Sequence, residues 1–194
     1  MGKTKNRAEG SGTAASCRPV VHNIAPVWDA GSRVLILGTM PSPSSRAAGF
    51  FYMHPRNRFW PVLAALFGER FAHSNASPDK SAAAAERREF LLRRHIALWD
   101  VLASCELEAA ADATIRRPAA NDFSALFAGA EITRVFCTGN TAFSLWQRLC
   151  APRWPVPCGR LPSPSPANAS WNLERLTQAY TGIVQACAAP GRNA

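Results

Sequence analysis

The feature that most constrains the fold of this chain is a series of short apolar segments separated by helix-like stretches. The apolar segments lie at residues 34–37, 96–102, 132–137 and 159–161. Gly38 and Gly139 follow the first and third segments, where the backbone must turn sharply. Because strands that alternate with helices pair in parallel through right-handed crossovers, the sequence predicts a three-layer α/β/α sandwich around a central, mainly parallel sheet of four strands.

Asp100 is the carboxylate that lies inside one of these apolar segments. A buried carboxylate needs a partner, and one at the end of a strand is readily paired with a local N–H group or an arginine. We expect such a pairing for Asp100 rather than a catalytic role.

Pro61 limits where the first long helix can start. Its ring removes an amide hydrogen and clashes with the carbonyl four residues earlier, so this helix can hardly begin before Asn57. Asn57 is therefore expected at the mouth of a helix.

Capping residues and periodicity predict the later helices. Ser77 is expected to be the N-cap of a helix ending near Arg94, and Asn121 the cap of a short helix over 122–127. Apolar residues recur every three or four positions over 173–187, which predicts one final helix with a buried face.

Two segments show neither the helical period of three or four residues nor the two-residue period of a strand. Residues 1–18 are polar, basic and rich in small residues, which predicts a disordered tail ahead of a single domain at 19–190. Residues 104–120 have the composition of a loop.

Length and composition narrow the class of protein. At 194 residues and 47% hydrophobic, the chain is long enough for one buried core and short for two. It lacks a run long enough to span a bilayer and the apolar core of a signal peptide, so we expect a cytoplasmic monomer with no membrane partner. The six cysteines are scattered without a C-x-x-C pair, so neither a metal nor a redox cofactor is expected.

The distribution of charge points to nucleic acid as the partner. The net charge is +9, and ten of the 13 acidic residues lie between Glu69 and Glu131. Two windows, residues 30–68 and 132–173, contain no carboxylate. A single arginine in these windows could simply be solvated, but two long acid-free windows keep the potential positive toward a polyanion.

The predicted topology brings the acid-free windows together. In open parallel sheets, ligand sites form beyond the carboxyl ends of the strands. The loops after Leu37, Cys137 and Leu161 should therefore share one rim, with the positive surface on the same face.

Three motifs resemble the hypoxanthine-DNA glycosylase branch of the uracil-DNA glycosylase superfamily. They are GTMP at 38–41, FYMHPRNRFW at 51–60 and LPSPSPANA at 161–169. The resemblance implies hydrolysis of the N-glycosidic bond of a deaminated base in DNA, without a cofactor. Hypoxanthine is the expected base, with uracil or mismatched thymine as further candidates.

The resemblance and the residue chemistry together assign the expected site. Asn57 takes the main catalytic role by resemblance, with a helix cap as the alternative, and His54 either donates to the departing base or braces the loop. The expected base pocket comprises Gly38, Thr39, Met40, Pro41, Phe51, Tyr52, Gly139 and Asn140. The expected DNA contacts are Ser42, Arg56, Arg58, Arg160, Ser163, Ser165 and Asn168.

Several alternatives stay open at the level of sequence. Phe51 and Tyr52 could stack on a flipped base or pack in the core, and Gly139 and Asn140 could simply turn the chain. The first motif has no carboxylate or amide to activate water, and Ser42 stands where a glycine is frequent in relatives. A non-catalytic nucleic-acid-binding module is the rival function, since it needs the basic face but not Asn57.

Overall fold

The computed structural model describes residues 18–107 and 115–188. The predicted tail lies outside the described residues, apart from Arg18, which begins the first strand. In the described part of the chain, no helix is long and apolar enough to cross a membrane.

Helices separate the four apolar strands from one another along the described chain. The strands are β1 (Arg18–Val21), β2 (Val34–Gly38), β3 (Ile96–Asp100), β4 (Leu102–Leu107), β5 (Ile115–Ala120), β6 (Arg134–Thr138) and β7 (Cys158–Leu161). The helices are α1 (Pro43–Ala48), α2 (Phe59–Phe67), α3 (Lys80–Arg93), α4 (Ser124–Gly129), α5 (Asn140–Leu149), α6 (Leu173–Ala179) and α7 (Thr181–Ala188). Each apolar segment expected to be a strand contributes one, as β2, β3, β6 and β7.

These four strands form one parallel sheet in the order β3-β2-β6-β7. At its centre, Ile36 lies opposite Leu98 on one side and Phe136 on the other. Helices cover both faces, which confirms the predicted three-layer sandwich. A strand in such a sheet is buried on both faces, and this explains its continuous apolar sequence.

Successive side chains of β2 enter two separate hydrophobic cores. Val34 and Ile36 face the core built with α2, α3, α6 and α7, whereas Leu35 and Leu37 face the core built with α4 and α5. All four side chains are fully buried. The two-residue period of a strand thus divides one apolar run between both helical layers.

A second sheet occupies much of the segment expected to be a loop. It is antiparallel, with the order β1-β4-β5. The predicted strand 96–102 is divided between the two sheets at Val101, whose N–H donates to the Gly38 carbonyl at 2.9 Å. The side chains of β5, including Arg116 and Arg117, are half-buried or exposed, so this strand lacks the apolar run that predicted the others.

The limit set by Pro61 is confirmed, whereas the start of the next helix differs. Helix α2 begins at Phe59, two residues after Asn57. Helix α3 begins at Lys80, because the carboxylate of Asp79, rather than Ser77, accepts a hydrogen bond from an amide of the first turn.

Two other predicted helix limits are wrong, and the residues concerned make long-range contacts instead. Asn121 does not cap α4; its amide donates to the carbonyls of Asp100 and Leu102. The predicted final helix is divided into α6 and α7 at Tyr180, whose buried hydroxyl donates to the Pro162 carbonyl at 2.8 Å.

We predict that Ile36→Ala lowers the free energy of unfolding by about 2–5 kcal/mol, since it leaves a cavity at the centre of the sheet. Val21→Ala, at a side chain that is 67% exposed, is the matched control and should cost less than about 0.5 kcal/mol. Urea unfolding followed by circular dichroism measures both values. Equal losses in the two variants would contradict this description of the core.

Candidate active site

The loops after β2, β6 and β7 meet at the carboxyl edge of the parallel sheet, as the topology predicted. They enclose a cleft of about 600 Å³. Its lining comprises Thr39, Thr138, Gly139, Asn140, Thr141, Arg160, Leu161, Pro162, Ser163, Asn168, Trp171 and Ala179. Among these described residues there is one arginine and no carboxylate, so the cleft suits an anionic ligand.

Three residues expected in the base pocket, Thr39, Gly139 and Asn140, line this cleft. Met40 is half-buried and packs against the core beneath α4 and α5. Pro41 is buried, and its carbonyl accepts a hydrogen bond from Arg46 at 2.6 Å. The first motif therefore reaches the cleft mainly through Thr39.

A buried polar network lies at the carboxyl ends of the central strands. His22 Nε2 lies 2.9 Å from Asp100 Oδ2, and each side chain is 4% exposed. A Cβ added to Gly38 would lie 2.2 Å from Asp100 Oδ1 and 2.9 Å from the Tyr52 hydroxyl. A glycine is therefore required here by close packing against the network.

The partner of Asp100 is thus a histidine, and not a local amide or an arginine. His22 precedes Asp100 by 78 residues and reaches it from the end of β1. A single histidine beside a short strand has no sequence pattern that could have identified it.

Tyr52 extends this network to the lining of the cleft. Its hydroxyl lies 2.9 Å from Thr138 Oγ1, and that threonine hydroxyl donates to the Leu37 carbonyl at 3.3 Å. Tyr52 is therefore the donor to Thr138. Burial, followed by the nearby Asp100 carboxylate, raises the pKa of Tyr52 well above its ordinary value, so the hydroxyl keeps its proton.

The aromatic pair is divided between core and loop. Phe51 is 1% exposed, and its ring lies 5.6 Å from that of Phe50 between centroids. Of the two roles considered for Phe51, the structure shows packing in the core. Tyr52 has a positive φ of 57° and stacks on Phe59 at 3.9 Å. Neither ring is among the residues that line the cleft.

Asn57 is half-buried just before α2. Its Oδ1 accepts a hydrogen bond from the Phe59 N–H at 2.9 Å, so the oxygen does serve the start of the helix. Its backbone N–H donates to the His54 carbonyl at 2.9 Å. Asn57 is not among the residues that line the cleft, and its side-chain NH₂ group is the part that can donate to a base or a water.

His54 and Arg56 lie on the same loop as Asn57. His54 is half-buried, and its Nδ1 accepts a hydrogen bond from the Arg56 N–H at 3.2 Å. This contact lies within the loop and braces it. The Arg56 side chain is exposed, which leaves it accessible to a phosphate.

Arg58 joins the Asn57 segment to the Ser/Pro loop at 162–168. Its backbone N–H and its Nε both donate to the Pro164 carbonyl, at 3.1 and 3.3 Å. Its guanidinium also donates to the carbonyls of Ser165, Asn168 and Trp171. The structure thus places Arg58 between two loops, and its contact with DNA stays a prediction.

The other expected DNA contacts lie on or near the same rim. Arg160 is exposed, and it donates to Asn140 Oδ1 at 3.2 Å. Asn168 donates to the Ser163 carbonyl at 2.9 Å, and the Ser165 N–H donates to Ser163 Oγ at 3.3 Å. Ser42 is exposed and is the N-cap of α1, a short helix that the sequence did not predict.

Metal-binding side chains do not cluster in the described part of the chain. There, no group of three or more histidine, cysteine or acidic residues could hold a metal ion. Five described cysteines are free thiols: Cys105, Cys137, Cys150, Cys158 and Cys187.

Comparison with known families agrees with this architecture. The model of the uracil DNA glycosylase superfamily matches residues 25–185. The match covers most of the chain, including the cleft and the Asn57 loop. The protein therefore belongs to the uracil DNA glycosylase superfamily, and the resemblance drawn from the motifs is confirmed.

The chain is similar to two curated proteins named hypoxanthine DNA glycosylase. It is 35% identical to that of Methanosarcina barkeri over 52% of this chain and 59% of the relative. It is 30% identical to that of Methanosarcina acetivorans over 57% of this chain and 65% of the relative. The matched regions thus span about three fifths of the relatives' lengths.

A solved structure has a similar fold over a larger part of the chain. It is the solution NMR structure of a Methanosarcina acetivorans protein named as a candidate uracil DNA glycosylase. The TM-score is 0.68 at 25% identity, covering 85% of this chain and 97% of that chain.

We predict that Asp100→Asn becomes progressively more stable, relative to wild type, as the pH rises above 3.8, the ordinary pKa of an aspartate. Burial raises the pKa of Asp100 above its ordinary value of 3.8, so the folded state binds the proton more tightly than the unfolded state. The stability that wild type gains from the protonated Asp100 carboxyl is therefore lost as the pH rises above 3.8. Asparagine cannot titrate, so the variant does not lose stability in this way.

Urea unfolding at a series of pH values measures this difference. Asp122→Asn is the control, because hydrogen bonds from Ser124 lower the pKa of this exposed carboxyl and move its dependence below pH 3.8. A pH-independent difference between Asp100→Asn and wild type would contradict the raised pKa.

Proposed function

We propose that the protein is a monofunctional DNA glycosylase that hydrolyses the N-glycosidic bond of a flipped-out deaminated base, with hypoxanthine as the preferred base. The observation that carries this proposal is the set of hydrogen bonds from Arg58 to the Ser/Pro loop. These bonds fix the Asn57 segment beside a wall of the cleft in a member of the superfamily. The names of the two similar proteins support hypoxanthine as the substrate.

The cleft has properties suited to a flipped nucleotide. Its volume of about 600 Å³ lies in the range of small-molecule sites. Flipping a base out of a duplex costs roughly a few kcal/mol, which contacts to the base and to the backbone must offset. Threonine and asparagine side chains in the lining offer hydrogen bonds to the base, and Arg160 offers its charge to a phosphate.

The attacking group in this proposal is water. Lys80 is the single lysine of the described residues, and its ammonium group donates to the Asn75 carbonyl at 2.8 Å. An amine nucleophile of the Schiff-base type is therefore disfavoured. In our proposal the Asn57 amide orients the water or the base, while His54 donates to the departing base or braces the loop. A cytoplasmic monomer is the form that we propose.

We predict that Asn57→Ala lowers the single-turnover excision rate by roughly 10²–10³-fold, as for the loss of an important electrostatic donor. Asn57→Ser separates this role from helix capping, because a serine hydroxyl can still accept from the Phe59 N–H but carries no amide. Both variants should be impaired to a similar extent. Near-normal excision by Asn57→Ser would reduce Asn57 to a capping residue.

The substrate is tested with a panel of oligonucleotides that carry inosine, uracil, xanthine or a G·T mismatch. Each is incubated with the protein and then treated with alkali, which breaks the strand at an abasic site. We expect breaks at inosine first. Breaks at none of the substrates, with DNA binding retained, would favour the non-catalytic binding module.

We predict that Arg160→Glu and Arg56→Glu weaken DNA binding and reduce its salt dependence. Each phosphate contact contributes about −0.9 to the slope of log K against log salt concentration for duplex DNA. Arg70→Glu is the control for charge, because Arg70 lies beyond the far end of α2, separated from the Asn57 loop by a helix about 13 Å long. An equal loss of affinity in all three variants would contradict the placement of the positive surface.

A further inference from the structure

One side-chain amide braces the loop that carries Asn57. Asn75 Nδ2 lies 3.3 Å from the Tyr52 carbonyl oxygen, 3.0 Å from that of His54 and 3.1 Å from that of Asn57. Asn75 is 6% exposed. Its two amide hydrogens are thus shared among three loop carbonyls, which converge on one point.

The opposite end of the same amide is fixed by a buried cation. Asn75 Oδ1 accepts a hydrogen bond from Arg87 Nη2 at 2.9 Å, and this arginine is 1% exposed. Arg87 also donates to the His73 carbonyl and to the Met53 sulfur, each at 3.0 Å. Its guanidinium lies 5.2 Å from the centroid of the Trp60 ring. Burial lowers the pKa of Arg87 to about 10, so it remains charged at neutral pH.

These contacts allow only one orientation of the Asn75 side chain. The oxygen must face the guanidinium, which only donates, and the nitrogen must face the carbonyls, which only accept. Arg87 lies on α3, which packs into the core through Phe90 and Leu91. The Asn57 loop is therefore connected to a rigid helix through two buried side chains.

We infer that Asn75, oriented by Arg87, is a positioning residue that sets the orientation of the Asn57 amide at the reacting nucleotide. The inference rests on the proposed catalytic role of Asn57. Asn75 is 6% exposed and its amide is occupied by Arg87 and the loop carbonyls, so it acts through the loop and not on the substrate. Neither residue belongs to the motifs that suggested the site, and nothing in the local sequence distinguishes Asn75 from an ordinary turn residue.

Asn75→Asp is the most selective test, since it replaces one nitrogen by one oxygen. The variant keeps an acceptor for Arg87 and strengthens that contact with a charge. It also turns a carboxylate oxygen toward three carbonyl oxygens, so it removes the loop contact alone. Gln185→Glu, at an exposed position on α7, adds the same charge elsewhere and is the matched control.

We expect Asn75→Asp to lower the single-turnover excision rate about 10- to 100-fold, as for a displacement of a reacting group by roughly 1 Å. Affinity for uncleaved DNA should not fall to a comparable extent, and Gln185→Glu should behave as wild type. In an Asn57→Ala background, Asn75→Asp should have no further effect, because both changes remove the same contribution. Hydrogen exchange of the Phe59 amide, which bonds to Asn57, should become faster.

The outcomes separate this inference from the proposed function. A wild-type protein that excises no damaged base would refute the function itself. Normal excision by Asn75→Asp, or additive losses in the double variant, would overturn only the role of Asn75. Should Asn75→Asp fail to fold, Asn75→Ser is measured in the same cycle, and the same lack of additivity is expected.

Discussion

Parallel pairing of β2 with β3 on one side and β6 on the other is the constraint on which the rest of the structure depends. Together with the parallel pairing of β6 with β7, it brings the carboxyl ends of all four central strands to one edge. The three loops that form the cleft leave from that edge. The His22–Asp100 pair and Gly38 lie at the same edge. Burial of β2 on both faces fixes its register, because a slip by one residue would exchange the side chains of the two cores.

The loops at this edge contain little regular structure, so donors from elsewhere must satisfy their carbonyl groups. The Ser/Pro loop shows the reason clearly, since Pro162, Pro164 and Pro166 have no amide hydrogen to offer. Arg58 supplies donors to this loop, and Asn75 supplies them to the loop around His54. Two polar side chains thus give shape to segments that the backbone alone could not fix.

Much of the fold was predictable because it depends on local patterns. The apolar runs gave the four central strands, and Pro61 limited the start of α2. The antiparallel sheet was missed, since β5 exposes Arg116 and Arg117 and lacks an apolar run. The break at Tyr180 was also missed, because the apolar period continues through this residue and gives no sign that the helix is divided there.

The sequence by itself determined the layered α/β architecture, the shared rim, the two acid-free windows and the motifs of the superfamily. Only the tertiary structure decided that His22 is the partner of Asp100, that Arg58 joins two loops and that Phe51 belongs to the core. The His22–Asp100 contact joins residues 78 positions apart, and the contacts of Arg58 reach residues up to 113 positions away. Periodicity and capping act within a few residues, whereas such contacts exist only after the chain has closed upon itself.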